Sequence, residues 1–300
     1  GFEALPYTAA ATTASASSSI TDSAAASTAM ATGEKVNNEV ISMAMPGDGS
    51  ELETLLENAV ARGLAVGLVT TTYMTHATPA AFGAHEPSRY NYDQIAADYL
   101  NQTKPNVLLG GGANGMSVAA AQAAGYTVVT DRAELQAVDT SAVSMLSGQL
   151  GSSHLPYEYD VMTDPNHELP SLSDMAAVAL DILDNDPDGL FLVIEGGLID
   201  RACHKNDIDR VVEEVKEFNN TFDVVWSWVS GRDDTLLIVT ADHETGGLTV
   251  TGNNGAGEAP TVTWSTTGHT ETDVGVYAWG RGAERVEGLL DNTDLHDIAR

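Results

Sequence analysis

Three hundred residues, 43% hydrophobic and 19% charged, can bury a sizeable core, which excludes wholesale disorder. No apolar run reaches membrane-spanning length. With 43 acidic against 13 basic residues the formal net charge is −30, which repels phosphate backbones and anionic lipid and excludes a nucleic-acid scaffold. The acids are scattered rather than gathered in a tail, a pattern that fits a salty habitat in which hydrated carboxylates maintain solubility. Cys203 is the only cysteine, so no internal disulfide forms.

In chain order, Gly1 opens the sequence with neither a methionine nor an apolar leader and reads as a processed or truncated end. Residues 9–19 are Ala/Ser/Thr-rich and read as linker. Residues 24–31 form a helix of small side chains, with Ser23 at its start and Gly33 near its end. Helices are then expected at 50–62, 92–103, 171–184 and 207–229, and strands at 64–71, 106–109, 126–130, 189–195, 235–240 and 274–279. In 171–184, Leu172, Met175, Ala176, Ala179 and Ile182 recur at helical spacing behind a serine cap. This alternation predicts an α/β fold, a mostly parallel central sheet with helices on both faces, in one domain spanning 1–300. Ligands of such folds gather at strand carboxyl ends, here just after Thr70, Ile194 and Val239.

All three places hold reactive side chains. Asp242 and His243 adjoin on one loop and can grip one cation through hard oxygen and borderline nitrogen. Asp200 and His204, four apart, face the same way on a helical turn and can chelate another, while Glu195 points to a neighbouring position and His269 can add a nitrogen. Taken singly these are also what a surface helix pair or an Asx-turn looks like; three acids and three histidines at one sheet edge favour metal. Ser23 reads either as an ordinary helix-start residue or as a nucleophile at the positive end of a helix, where a phosphoryl anion is welcome and a metal can activate the hydroxyl. His76 and Thr78 alternate and can share a face, and the fork of Arg89 can clasp two phosphate oxygens, although a solvated loop arginine looks the same in sequence.

The segments Thr21-Asp22-Ser23-Ala24-Ala25, Thr75-His76-Ala77-Thr78-Pro79-Ala80, Glu195-Gly196-Gly197-x-Ile199-Asp200-x-x-x-His204, Thr240-Ala241-Asp242-His243 and His269-Thr270 occur here in the order found in alkaline phosphatases, from about Ser18 to about Gly280. The chain resembles that family, and most of all its bacterial cold-active members. The resemblance implies a phosphomonoesterase acting through a phosphoserine on Ser23. It implies one zinc on Asp200, His204 and His269, a second on Asp242 and His243, and magnesium on Glu195 and Thr78 with His76 adjacent. Arg89 would bind phosphate and Asp22 would be a positioning neighbour. Small phosphorylated substrates, a homodimer and a periplasmic or secreted location are implied in the same way. The family also carries an aspartate on an early strand, bridging the second zinc and the magnesium. Glu3 is the only acid before Asp22 and its setting does not match. The expectation is therefore an N-terminally incomplete domain with weakened metal binding. Arg201 stands where many relatives have histidine or lysine, which is expected to shift phosphate affinity and pH optimum. Two rival readings follow: an impaired phosphate- or metal-binding fragment, and a phosphodiesterase of the same superfamily.

Overall fold

The computed structural model describes residues 1–164 and 166–300. The first departure from the sequence reading comes early. Tyr7–Thr12 is a strand, β1, rather than linker. It pairs antiparallel along residues 274–278 and parallel along 288–291, and Ala11 is fully buried between them. Small side chains are what let a strand lie that close to both neighbours, so low complexity here marks tight packing.

Helix α1 (Ser23–Thr32) has almost no polar face; nine of its ten residues are buried. The Asp22 carboxylate caps it by accepting from the Ala25 N–H, and Gly33 ends it at φ +78°, a left-handed conformation that favours glycine. Helix α2 (Leu55–Ala61) starts later than residue 50 because Thr54 and Glu57 form a capping box that fixes its first turn. Strand β2 (Ala65–Tyr73) follows, then α3 (Ala77–Gly83), α4 (Tyr92–Asp98) with a π-helical turn at Tyr99–Thr103, and β3 (Val107–Gly111). Next come α5 (Val118–Ala123), β4 (Thr127–Val129), α6 (Arg132–Gln136) and β5 (Leu146–Gln149). Two helices, α7 (Glu158–Val161) and α8 (Leu172–Leu183), lead into β6 (Leu190–Glu195).

These strands form one all-parallel sheet in the order β4-β5-β3-β2-β6. Alternate residues of its central strands enter opposite cores. Val66, Leu68 and Leu108 pack with α1, α2, α3 and α4, whereas Ala65, Val69, Val107 and Leu109 pack with Leu135 and the apolar stripe of α8. Both faces are covered, which is why these strands read as unbroken apolar runs. The predicted fold class is what the molecule adopts.

After β6 come α9 (Leu198–Cys203), α10 (Ile208–Val229), β7 (Leu236–Thr240) and β8 (Glu244–Thr245). A hairpin of β9 (Thr249–Gly252) and β10 (Thr261–Thr263) precedes β11 (His269–Thr270), β12 (Val274–Gly280), β13 (Gly288–Asp291) and α11 (Asp294–Ala299). β7 belongs to a second sheet, order β13-β1-β12-β7, and runs antiparallel to β12. The expected single functional edge is thus corrected: the loops after β2 and β6 leave the parallel sheet, and the loop after β7 leaves the mixed one.

Candidate active site

Ser23 is the first residue of α1, so its hydroxyl sits at the helix's positive end; it is 6% exposed. Its Oγ lies 3.0 Å from Nε2 of His243. Asp22, immediately before it, does three things at once. Oδ1 caps α1 through Ala25 N at 3.1 Å; Oδ2 accepts from Glu39 N at 3.1 Å and from Arg89 Nη1 at 2.9 Å. Arg89 is pinned further by its own backbone N–H on Glu39 O and by Nη2, which lies 3.3 Å from His76 Nε2. One carboxylate therefore fixes both the serine and the guanidinium.

Asp200 and His204 project from α9 and its C-terminal cap, Asp242 and His243 from the turn after β7, and His269 from β11. The short β8–β11 ladder sets His269 opposite Thr245 and so brings a late segment beside the turn after β7. His204 Nε2 lies 3.3 Å from Asp200 Oδ2 and 3.2 Å from His269 Nε2, which is 3.5 Å from Asp200 Oδ1. Asp242 Oδ2 lies 3.1 Å from His243 Nε2, and the His243 and His269 rings stack at 3.5 Å. Ligand atoms of Asp200, His243 and His269 all lie within 4.8 Å of one another. All five predicted ligands converge, with Ser23 among them.

The histidine tautomers can be read from their outer partners. His204 Nδ1 is 2.6 Å from Thr267 O and His269 Nδ1 is 2.8 Å from Thr21 O. Carbonyl oxygens only accept, so each Nδ1 carries a proton and Nε2 is the nitrogen left facing inward. Two facing Nε2 atoms and a carboxylate make a set that fits a cation, and imidazole with carboxylate suits zinc. In the bare protein the charges answer one another. Burial pushes the Asp200 carboxyl up, but His204, His269 and His243 outweigh it and hold the group far below the carboxylate range. Asp242 is likewise held low by His243 against its own burial, and His243 is raised by Asp242 despite burial. The hydrogen bond to Asp200 raises His204.

Glu195, at the end of β6, lies in a third group. It accepts from the hydroxyls of Thr70 and, at 3.3 Å, Thr72, both on β2. Burial raises its carboxyl, offset in part by these hydroxyls. Thr78 lies beside it with a buried hydroxyl that completes no hydrogen bond of good geometry. An oxygen-rich set with a spare hydroxyl fits a hard cation such as magnesium. The neighbouring Gly197 is required by space: a Cβ there would meet Thr72 Cγ2 at 2.5 Å and the Glu195 carboxylate at 3.0 Å. His76 adjoins this group, but its Nε2 faces Arg89. Burial and then the arginine's charge lower it to about 3, so the ring is neutral.

Several contributors carry no motif. Thr245 donates from Oγ1 to Asp200 Oδ1 at 2.5 Å and lies 3.3 Å from His243 Nδ1. Tyr73 ends β2 against His76, and His154, after β5, tilts over Tyr73 at 4.6 Å. Tyrosine at a strand's carboxyl end is the one sequence signal that could have drawn attention to this corner. Arg201, one residue past Asp200, contributes to the electrostatics of Tyr73, His76 and His154.

A family profile described as alkaline phosphatase matches residues 1–262. Alkaline phosphatase 3 of Bacillus subtilis is 32% identical over 357 aligned positions, covering 92% of this chain and 75% of the relative. The cold-active alkaline phosphatase of a psychrophilic Shewanella superposes with a TM-score of 0.88 at 31% identity, over 99% of this chain and 89% of the other. A variant of the alkaline phosphatase of the Antarctic bacterium TAB5, solved with Mg bound in its M3 site, gives 0.86 at 25% identity, over 99% and 88% of the two chains.

Proposed function

The chain belongs to the alkaline phosphatase family, a metal-dependent class of phosphomonoester hydrolases, and on that premise we propose that it works through a phosphoserine on Ser23. Asp200, His204 and His269 would hold one zinc and Asp242 and His243 a second. Glu195 and Thr78 would hold magnesium, with His76 beside them. Bound cations would supply Lewis acidity, lowering the serine pKa and neutralising phosphate charge. Arg89 binds two phosphate oxygens through its fork and Asp22 keeps that fork aimed. Ser23 Oγ then forms a bond to phosphorus as the bond from phosphorus to the leaving alcohol oxygen breaks. The proton given up by the Ser23 hydroxyl ends, by way of solvent, on the departing alkoxide. Water attacks the phosphoserine in turn and returns the hydroxyl, releasing inorganic phosphate. Such transfers need little covalent management, so positioning and charge dominate.

The observation that carries this reading is the placement of Ser23 Oγ at a helix N-terminus, 3.0 Å from His243, within a ring of carboxylates and imidazoles. The phosphodiesterase and impaired-fragment readings are not favoured by the family match. Hydrolysis of p-nitrophenyl phosphate should be lost on chelation, restored by zinc and magnesium, and reduced at least a thousandfold in Ser23→Ala. Mass spectrometry after acid quench should find phosphate on the peptide bearing Ser23. Undiminished turnover in Ser23→Ala, or indifference to chelator, would defeat the proposal. No helix among the described residues is long and apolar enough to cross a membrane. A homodimer in the periplasm or outside the cell is proposed from family membership.

A further inference from the structure

Five rings form a connected set at the carboxyl edge of the parallel sheet, beside the arginine assigned above to phosphate. Tyr73 is the hub: its ring meets His154 at 4.6 Å, His76 at 5.2 Å and Tyr92 at 5.3 Å, and its hydroxyl donates to the Tyr92 hydroxyl at 3.0 Å. Tyr92 in turn meets Tyr90 edge-on at 6.4 Å. Tyr90 follows Arg89 directly, on a turn held by Asn91 N on Ser88 O at 3.0 Å and Arg89 N on Glu39 O at 2.7 Å. These rings lie outside the apolar cores on either side of the sheet. Tyr90 is 59% exposed, an unusual state for a large ring fixed at its base. His154 Nδ1 is buried with no hydrogen-bond partner among the described residues, and its ring is tilted by 42° against Tyr73. An aromatic surface thus runs outward from His76 and Arg89 to the exposed ring of Tyr90.

We propose that Tyr73, Tyr90, Tyr92 and His154 form a shelf that receives the leaving group of aryl phosphate monoesters and gives the enzyme a preference for them over alkyl esters. This rests on the reading of Arg89 as the phosphate clamp. Edge-to-face packing immobilises Tyr73 and Tyr92, so a planar ring meets a preorganised surface and little side-chain freedom is lost on binding. An alkyl chain lacks the ring quadrupole and most of the contact area, so it gains less.

The metal-loaded full chain and its Tyr90→Ala, Tyr90→Phe and His154→Ala variants are compared on phenyl phosphate and glycerol phosphate. The ratio of the two kcat/KM values should fall roughly three- to tenfold in Tyr90→Ala and His154→Ala, chiefly through KM for phenyl phosphate, and be retained in Tyr90→Phe. A ratio that stays fixed, or an equal loss on both esters, overturns the shelf. Calorimetry with phenylphosphonate and methylphosphonate reads the same surface without turnover. Phenylphosphonate should bind several-fold more tightly, and Tyr90→Ala should erase that advantage; equal affinity in the unaltered chain also overturns the shelf. Failure of the unaltered chain to hydrolyse either ester would instead defeat the phosphatase mechanism, with the phosphonate pair still judging the shelf.

Discussion

Thr245→Val tests whether the side chains proposed above to bind metal are held from outside. Thr245 is 7% exposed, and its hydroxyl donates to Asp200 at 2.5 Å while lying 3.3 Å from His243 Nδ1. Valine keeps the branched shape and the β8 backbone pairing but withdraws the donor. A hydrogen bond to a charged group is worth about 1.5–3 kcal/mol, and outer partners of ligating residues typically contribute 10–100-fold in metal affinity. At about 1.4 kcal/mol per tenfold the two estimates agree. We therefore expect zinc affinity to fall by roughly 10- to 100-fold, with Thr245→Ser close to the parent. The assay is competition with a chelator, followed by activity and by the melting temperature of metal-free and zinc-loaded protein. The gap between those two temperatures should shrink in Thr245→Val. An unchanged zinc affinity in a folded variant, or equal destabilisation of the metal-free and loaded forms, would refute the reasoning.

Three further outcomes are expected. Asp22→Asn keeps an acceptor for the Ala25 N–H but gives up the charge opposite Arg89, so inhibition by inorganic phosphate should weaken roughly three- to tenfold with little change in melting temperature. Asp22→Ala should add a stability loss of about 1 kcal/mol from the vacated cap, and a phosphate inhibition constant untouched by either change would show that Asp22 does not steer the arginine. Gly197→Ala has no room at Thr72 and Glu195 and should cost about 1–3 kcal/mol while reducing activation by added magnesium; full activation at wild-type stability would contradict it. Burial, then the charge of Glu217, lifts the half-buried Glu158 carboxyl from its ordinary 4.5 to about 7. The folded state therefore keeps this proton where the unfolded chain gives it up, so its contribution to stability is complete below pH 4.5 and lost as pH rises to about 7. Glu158→Gln should recover about 1 kcal/mol at pH 8 and little at pH 4, and denaturant titrations with identical differences at the two pH values would contradict this.

Long amphipathic elements were legible because their signals are local. Ser171 and Asp207 cap α8 and α10 through the N–H groups of Asp174 and Arg210, and the apolar spacing between caps does the rest. The Asp200 and His204 pair was legible for the same reason, since one helical turn aligns it. β1 was hidden because alanine and threonine carry no strand pattern of their own; its partners, residues 274–278 and 288–291, supply the reason for its shape. The stacking of two proposed ligands was also hidden. Sequence spacing groups His243 with Asp242, but only the β8–β11 register stacks its ring on His269. Tyr73 and His154 escaped notice because aromatic clustering depends on where β2 and β5 end in space, which no spacing encodes.

The anchoring of His269 by the carbonyl of Thr21, two residues before Ser23, ties together residues 248 positions apart. More than two hundred residues separate Ser23 from Asp242, His243 and His269, so the serine leaves the ribosome well before the side chains that surround it. A nascent chain therefore carries this hydroxyl without its imidazole neighbours until His269 docks onto the Thr21 carbonyl. Hydrolytic competence should accordingly report completion of the tertiary structure rather than its onset.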